Sequence, residues 1–184
     1  MARVGILALQ GDFEAHQKAF HEAGAETTQV RDAAGLAPLD ALVIPGGEST
    51  TMLKLIHLEN LWEPIRAFAA AKPVFATCAG AILLARRVTN PEQQSFDLLD
   101  IDVERNAYGR QLQSAVTNIE TSEGPMEAVF IRAPIIRRTG PAVKVLAMHE
   151  GNPVLVAQDR HLVATFHPEL APDRSLQRLF LSKL

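Results

Sequence analysis

Short apolar runs alternating with amphipathic stretches organise the first half of this chain. Residues 3–9 form an apolar run that predicts a strand. Residues 12–23 place Phe13, Ala19, Phe20 and Ala23 near one face of a helix, which Gly24 closes as a C-terminal cap. Strands are predicted at 26–30 and 41–44, helices at 51–57 and 61–71, a strand at 74–77 and an apolar helix at 79–85. This βαβαβ order with near-continuous apolar strands predicts an α/β fold, a parallel sheet covered on both faces. The second half is richer in strands. Leu99, Ile101 and Val103 alternate, and strands are expected at 112–119, 128–132, 143–148, 153–157 and 161–165, several pairing antiparallel across a Gly151-Asn152 turn. A closing helix is expected at 173–184. No repeat, low-complexity tract or long linker divides the pattern, so 1–184 is expected to form a single domain.

Composition narrows the class. With 184 residues, 47% hydrophobic and 21% charged, the chain can bury a good-sized core. A net charge of −3 argues against nucleic acid as a main partner. No apolar run approaches the roughly 20 residues needed to span a bilayer, so no membrane partner is expected. The first residues run straight into a strand without a basic leader region or a following cleavage site. One cysteine excludes an internal disulfide, and a thiolate nucleophile suits a reducing cytoplasm, the expected location.

That cysteine, Cys78, falls at the corner between the 74–77 strand and the 79–85 helix, with Gly80 easing the turn. A side chain at such a corner is held up from the sheet, above the amides of the helix N-terminus, which favour the thiolate. The same geometry underlies the nucleophile elbow of serine hydrolases. A free cysteine is also commonly just a small buried hydrophobe. Two segments favour chemistry. In Phe166-His167-Pro168-Glu169, the proline holds the chain extended, so His167 and Glu169 project to one side and the carboxylate can orient the imidazole. A zinc reading of His-x-Glu lacks the Pro-Cys-x-x-Cys segment it requires, leaving a structural turn as the competing reading. In Pro45-Gly46-Gly47-Glu48-Ser49-Thr50, the glycines can turn amide N–H groups into a concave site for an oxyanion or a substrate carboxylate. The competing reading is a loop with Ser49 or Thr50 as the N-cap of the next helix. It is not a P-loop, since the Gly-Lys-Ser/Thr ending is missing. Gln10-Gly11, Gly46-Gly47 and Cys78 all fall at strand C-terminal ends, where open parallel sheets bind ligands.

These motifs, with Gly5-Ile6-Leu7-Ala8-Leu9-Gln10-Gly11, Val103-Glu104-Arg105-Asn106-Ala107-Tyr108-Gly109-Arg110-Gln111 and Phe130-Ile131-Arg132-Ala133-Pro134, resemble class I (triad-type) glutamine amidotransferases essentially end to end. More narrowly they resemble the glutaminase subunits of pyridoxal 5′-phosphate synthases. A short segment at 121–127 departs modestly from the pattern. The resemblance implies a flavodoxin-like, three-layer, doubly wound, mostly parallel sheet with an antiparallel β extension. It implies hydrolysis of L-glutamine to L-glutamate and ammonia by a Cys78–His167–Glu169 triad, through a thioester and without cofactor or metal. Glutamine contacts fall on Gly47, Glu48, Ser49, Arg105, Ile131 (through its backbone) and Arg132. Either arginine could equally be an exposed surface charge. Gln10, Gly47 and Ala79 match positions near the oxyanion site, completed when a (β/α)-barrel synthase subunit docks in a hetero-oligomeric complex. Two alternatives stand beside this: a glutaminase serving another synthase, such as that of imidazole glycerol phosphate, and a non-amidotransferase cysteine protein of related fold.

Overall fold

The computed structural model describes residues 1–107, 114–122 and 124–184. The first half runs β1 (Arg3–Leu7), α1 (Phe13–Glu22), β2 (Glu26–Val30), β3 (Ala41–Ile44), α2 (Ser49–Leu58), α3 (Trp62–Ala71), β4 (Val74–Thr77) and α4 (Ala79–Leu84). The second half runs β5 (Ala85–Thr89), β6 (Leu99–Glu104), β7 (Ser114–Thr121), β8 (Gly124–Ile131), β9 (Ile135–Thr139), β10 (Lys144–His149), β11 (Asn152–Gln158), β12 (His161–Ala164) and α5 (Ser175–Leu181). Among the described residues, one large sheet has the order β2-β1-β3-β4-β12-β11-β10-β7-β8 and a small one the order β5-β6-β9. From β2 to β12 every pairing in the large sheet is parallel. From β11 to β8 the strands run antiparallel, as the extension expected from the second half.

The inner parallel strands β1, β3, β4 and β12 are buried on both sides, and their residues alternate between two cores. Leu42 and Ile44 of β3 pack with Met52, Ile56, Ile65 and Phe68 beneath α2 and α3. Ala41 and Val43 face the opposite side, with Phe20 of α1, Phe75 and Phe180 of α5. The three phenylalanine rings pack with centroids 5.5–6.0 Å apart. Helices on both faces of the sheet make the three layers of a doubly wound fold. The change of face between α1 and α2 opens the crevice of a topological switch point at the C-terminal ends of β1 and β3.

Several boundaries differ from those expected. The apolar run 79–85 is helical only to Leu84, and Ala85 opens β5, whose Arg86 and Arg87 turn outward. β9 was not expected, because Ile135 and Ile136 are followed at once by arginines and give no alternation. The corner between β10 and β11 is Glu150-Gly151, one residue earlier than expected, with φ of 48° and 76°. Residues 112 and 113 of the 112–119 strand lie outside the described residues. No helix is long and apolar enough to cross a membrane among the described residues.

Gly80 permits α4 to lie directly against β3. A Cβ there would stand 2.3 Å from the Ile44 carbonyl oxygen, which is backbone and cannot swing aside. Gly80→Ala is therefore expected to destabilise the chain by about 1–3 kcal/mol, read as a lowered Tm of the purified protein. An unchanged Tm would show that this contact is loose.

Candidate active site

Four loops meet at the C-terminal edge of the parallel strands. β4 lies between β3 and β12, so the residue following it is flanked by the loops of both. That residue is Cys78. Its backbone has φ 47° and ψ −103°, a conformation that costs a non-glycine residue energy and is kept only where the surroundings enforce it. Cys78 N donates to the Ala164 carbonyl in β12 (3.0 Å) and Ile82 N donates to the Cys78 carbonyl (3.3 Å). The side chain is almost buried, with Sγ 3.9 Å from the Ile131 carbonyl oxygen that its S–H can reach.

The second loop follows β12. His167 N donates to the Val129 carbonyl of β8 (2.8 Å), which ties the base to the antiparallel extension. His167 Nδ1 lies 2.7 Å from Glu169 Oε1, in the same-side arrangement that the intervening proline predicts. Both side chains are buried. The carboxylate occupies Nδ1, and Cys78 is among the neighbours that favour the charged form of the ring. The structure thus brings Cys78, His167 and Glu169 together.

Two further residues join them that sequence reasoning missed. Asp12, 155 positions from His167, puts Oδ2 3.1 Å from the same Nδ1. His16, one turn further along α1, is fully buried, with Nε2 2.9 Å from Thr77 Oγ1 and 3.2 Å from Glu169 Oε2. The one sequence signal for His16 was a polar residue on the helix face that buries Ala19 and Phe20.

The loop after β3 holds the remaining candidates. Gln10 Oε1 accepts from Glu48 N (2.8 Å), joining the loop after β1 to the loop after β3. The N-cap of α2 is Glu48, not Ser49 or Thr50 as expected: its carboxylate accepts from Thr50 N (3.2 Å), Thr51 N (2.7 Å) and Thr51 Oγ1 (2.7 Å). The physical reason lies in the hydroxyls, which are used elsewhere. Thr50 Oγ1 accepts from Arg105 Nη2 (2.7 Å), and Ser49 Oγ donates to Gln93 Oε1 (3.0 Å). Arg105 Nη2 also lies 3.6 Å from Glu48 Oε1, so this arginine braces the loop and is no loose surface charge. Gly47 and Glu48 are exposed, Ala79 and Ser49 buried. Ile131 is partly exposed with its carbonyl at the thiol, and Arg132 follows, exposed at φ 46°. Residues 108–111 of the Glu-Arg-Asn motif lie outside the described residues.

Comparison with known proteins fits this geometry. The profile of the SNO glutamine amidotransferase family matches residues 6–184. The chain belongs to that family. It is 54% identical to the pyridoxal 5′-phosphate synthase subunit PdxT of Solibacter usitatus over 100% of both chains. It is 48% identical to the PdxT of Thermotoga neapolitana, over 97% of each. A crystal structure of a glutamine amidotransferase superposes with a TM-score of 0.92 at 44% identity, covering 98% of this chain and 97% of the other. Membership of the glutamine amidotransferase family removes the reading as an unrelated cysteine protein on a similar fold.

The electrostatics of this amidotransferase site are set by burial and by two carboxylates. Burial alone would push the His167 imidazole down, but hydrogen bonds with Asp12, Cys78 and Glu169 outweigh it and raise it to about 12. Burial raises the Glu169 carboxyl to about 7 against the pull of the His167 hydrogen bond, and Asp12 adds to the rise. Partial burial also pushes Asp12 up, yet its hydrogen bonds with His167 and Glu169 hold it well below the usual carboxylate range. Burial pushes His16 down to about 3, so it is neutral. Asp12, His167 and Glu169 present ligand atoms within 4.8 Å of one another, as a metal site would. Nδ1 of His167 stands between the two carboxylates, at 2.7 Å from Glu169 and 3.1 Å from Asp12.

Proposed function

We propose that this chain is a glutaminase that hydrolyses L-glutamine to L-glutamate and ammonia and supplies the ammonia to a (β/α)-barrel pyridoxal 5′-phosphate synthase subunit, as the PdxT name of its relatives suggests. The observation that carries the reading is a cysteine in a strained strand–helix corner, beside an imidazole whose far nitrogen is held by a buried glutamate. The Cys78 thiolate attacks the side-chain amide carbon. The imidazolium of His167 gives its Nε2 proton to the departing nitrogen, and ammonia leaves a glutamyl thioester on Sγ. His167, now neutral, takes a proton from water as that water attacks the thioester, and glutamate departs as the thiolate re-forms. No cofactor enters these steps.

Glu169 fixes the tautomer and orientation of the base. The amides of Gly47 and Ala79 are the proposed donors to the oxyanion, with Gln10 fixing the loop that carries Gly47. Ser49 lies beside Gly47 and Glu48 at the mouth of the site. The Glu48–Arg105 pair neutralises and stiffens the loop against which the amino-acid end of glutamine would rest, and the Ile131 carbonyl and Arg132 close the other side. A cytoplasmic setting is proposed from the reduced thiol that the chemistry requires.

Apolar Ile131 and Leu170 stand partly uncovered, one beside the thiol and the other just beyond Glu169. A docked synthase would cover both and complete the oxyanion site. Glutamate release at saturating glutamine is therefore expected to be low for the chain alone and to rise about 10²-fold, the worth of one oxyanion donor, when the synthase subunit is added. Equal release with and without the synthase would mean a preformed oxyanion site.

A further inference from the structure

We infer that Asp12 is a second positioning residue for the base: Asp12 and Glu169 together hold the Nδ1–H of His167, so that the imidazole is oriented by a pair of carboxylates. This rests on the glutaminase reading above and adds a residue to it. The argument begins with what Asp12 does not do. It occupies the N-cap position of α1, where an aspartate ordinarily accepts from the first free amides of the helix. Its side chain makes no such hydrogen bond. Oδ2 is turned instead to His167 Nδ1 at 3.1 Å, while Oδ1 is buried without a partner. Giving up a cap and burying a carboxylate oxygen unsatisfied both cost stability, and such departures from local preference concentrate at functional sites.

The placement is not left to a flexible side chain. Asp12 N donates to the Gly46 carbonyl (3.3 Å), so the backbone that carries the carboxylate is fastened to the loop beside Cys78. Glu169 approaches the same nitrogen from the buried side, its side chain fully covered, whereas that of Asp12 is 30% exposed. Two carboxylates this close do not both ionise freely. The partly hydrated one keeps its charge more easily, which agrees with the opposite directions in which the two are shifted. Asp12 thus supplies steady negative charge to the imidazolium, and Glu169, fully buried against the same nitrogen, supplies geometry.

The test uses the full chain with D12N, E169Q and the double variant. Asparagine at position 12 can still accept from Nδ1–H, so the substitution removes charge and little else. Glutamate release with the synthase subunit present is expected to fall about tenfold in kcat for D12N, with KM unchanged. That is the rate equivalent of about one pH unit in the base. E169Q should keep residual turnover that D12N/E169Q loses by at least about a further tenfold. Independently of turnover, the NMR titration midpoint of the His167 ring should lie at least about one pH unit lower in D12N than in the native chain. An unchanged midpoint, or a double variant no slower than E169Q, overturns the inference. Absence of glutamate release by the native chain would overturn the glutaminase reading, and the His167 midpoint would still decide the role of Asp12.

Discussion

Cys78→Ala is expected to release no measurable glutamate, a loss on the order of 10⁴-fold or more, with Tm almost unchanged. The side chain lost is small and lies at the rim of the core, so little packing is removed, and alanine inherits the same strained backbone. The chemistry, in contrast, loses the atom proposed to form the thioester. His167→Asn should fall nearly as far, because no other base faces the thiol among the described residues, and an asparagine cannot accept and return the proton. The double variant is expected to be no worse than either single one, since a nucleophile without its base and a base without its nucleophile are equally idle. The measurement is glutamate release with the synthase subunit present, alongside thermal unfolding of each variant. Near-normal turnover by Cys78→Ala would remove the covalent mechanism, and additive losses would mean that the two residues act in separate steps.

Much of this site is legible without coordinates, and the reason is local. Pro168 fixes the geometry of its neighbours, so a tetrapeptide suffices to put His167 and Glu169 on one side. The corner at Cys78 is similarly written in one strand, one glycine and one apolar run. The parallel half of the fold follows from apolar runs too short for anything but buried strands, and β3 and β4 fall where those runs lie. What escapes is whatever depends on which side chain meets which across the fold. Asp12 reads as an ordinary helix start and His16 as a stray polar residue. Only the packing of α1 across the sheet, with His16 and Phe20 against Phe75 of β4, turns them toward His167 and Glu169. The cap of α2 escapes for the same reason: propensity favours Ser49 or Thr50 over Glu48, but both hydroxyls are drawn away by Gln93 and Arg105, which come from later in the chain. The alternation of β6 in the small sheet is legible, but β5 and β9 are missed because they expose arginines that pair with Asp100, Asp102 and Glu104 of β6. The cohesion of this sheet is therefore partly ionic, and its outer strands carry no clean hydrophobic alternation.

Gly46→Ala is expected to be the most damaging substitution outside the reacting residues. Sequence reasoning assigns Gly46 to a loop that exposes amides, but its position gives it a second task. A Cβ at Gly46 would lie 2.5 Å from His167 Cε1, 3.1 Å from Nδ1 and 3.3 Å from Cys78 Cβ, between the base and the nucleophile. The ring cannot move away at low cost. Its Nδ1 is held by Glu169 and Asp12, and its backbone is hydrogen-bonded to β8. Gly46 cannot retreat either, since its carbonyl is held by Asp12 N. The methyl group must therefore be accommodated by displacing the imidazole from the thiol, and a shift of about 1 Å in a reacting group costs about 10²-fold in rate. We expect kcat to fall by at least that factor with KM little changed, because the methyl group points at the catalytic pair and away from the glutamine-binding loop. The overpacking itself should lower stability by about 1–3 kcal/mol and leave the chain folded. Steady-state kinetics with the synthase subunit, paired with thermal unfolding, separates the two effects. A folded Gly46→Ala variant with native kcat would mean that Cys78 and His167 do not work from the separation this glycine maintains.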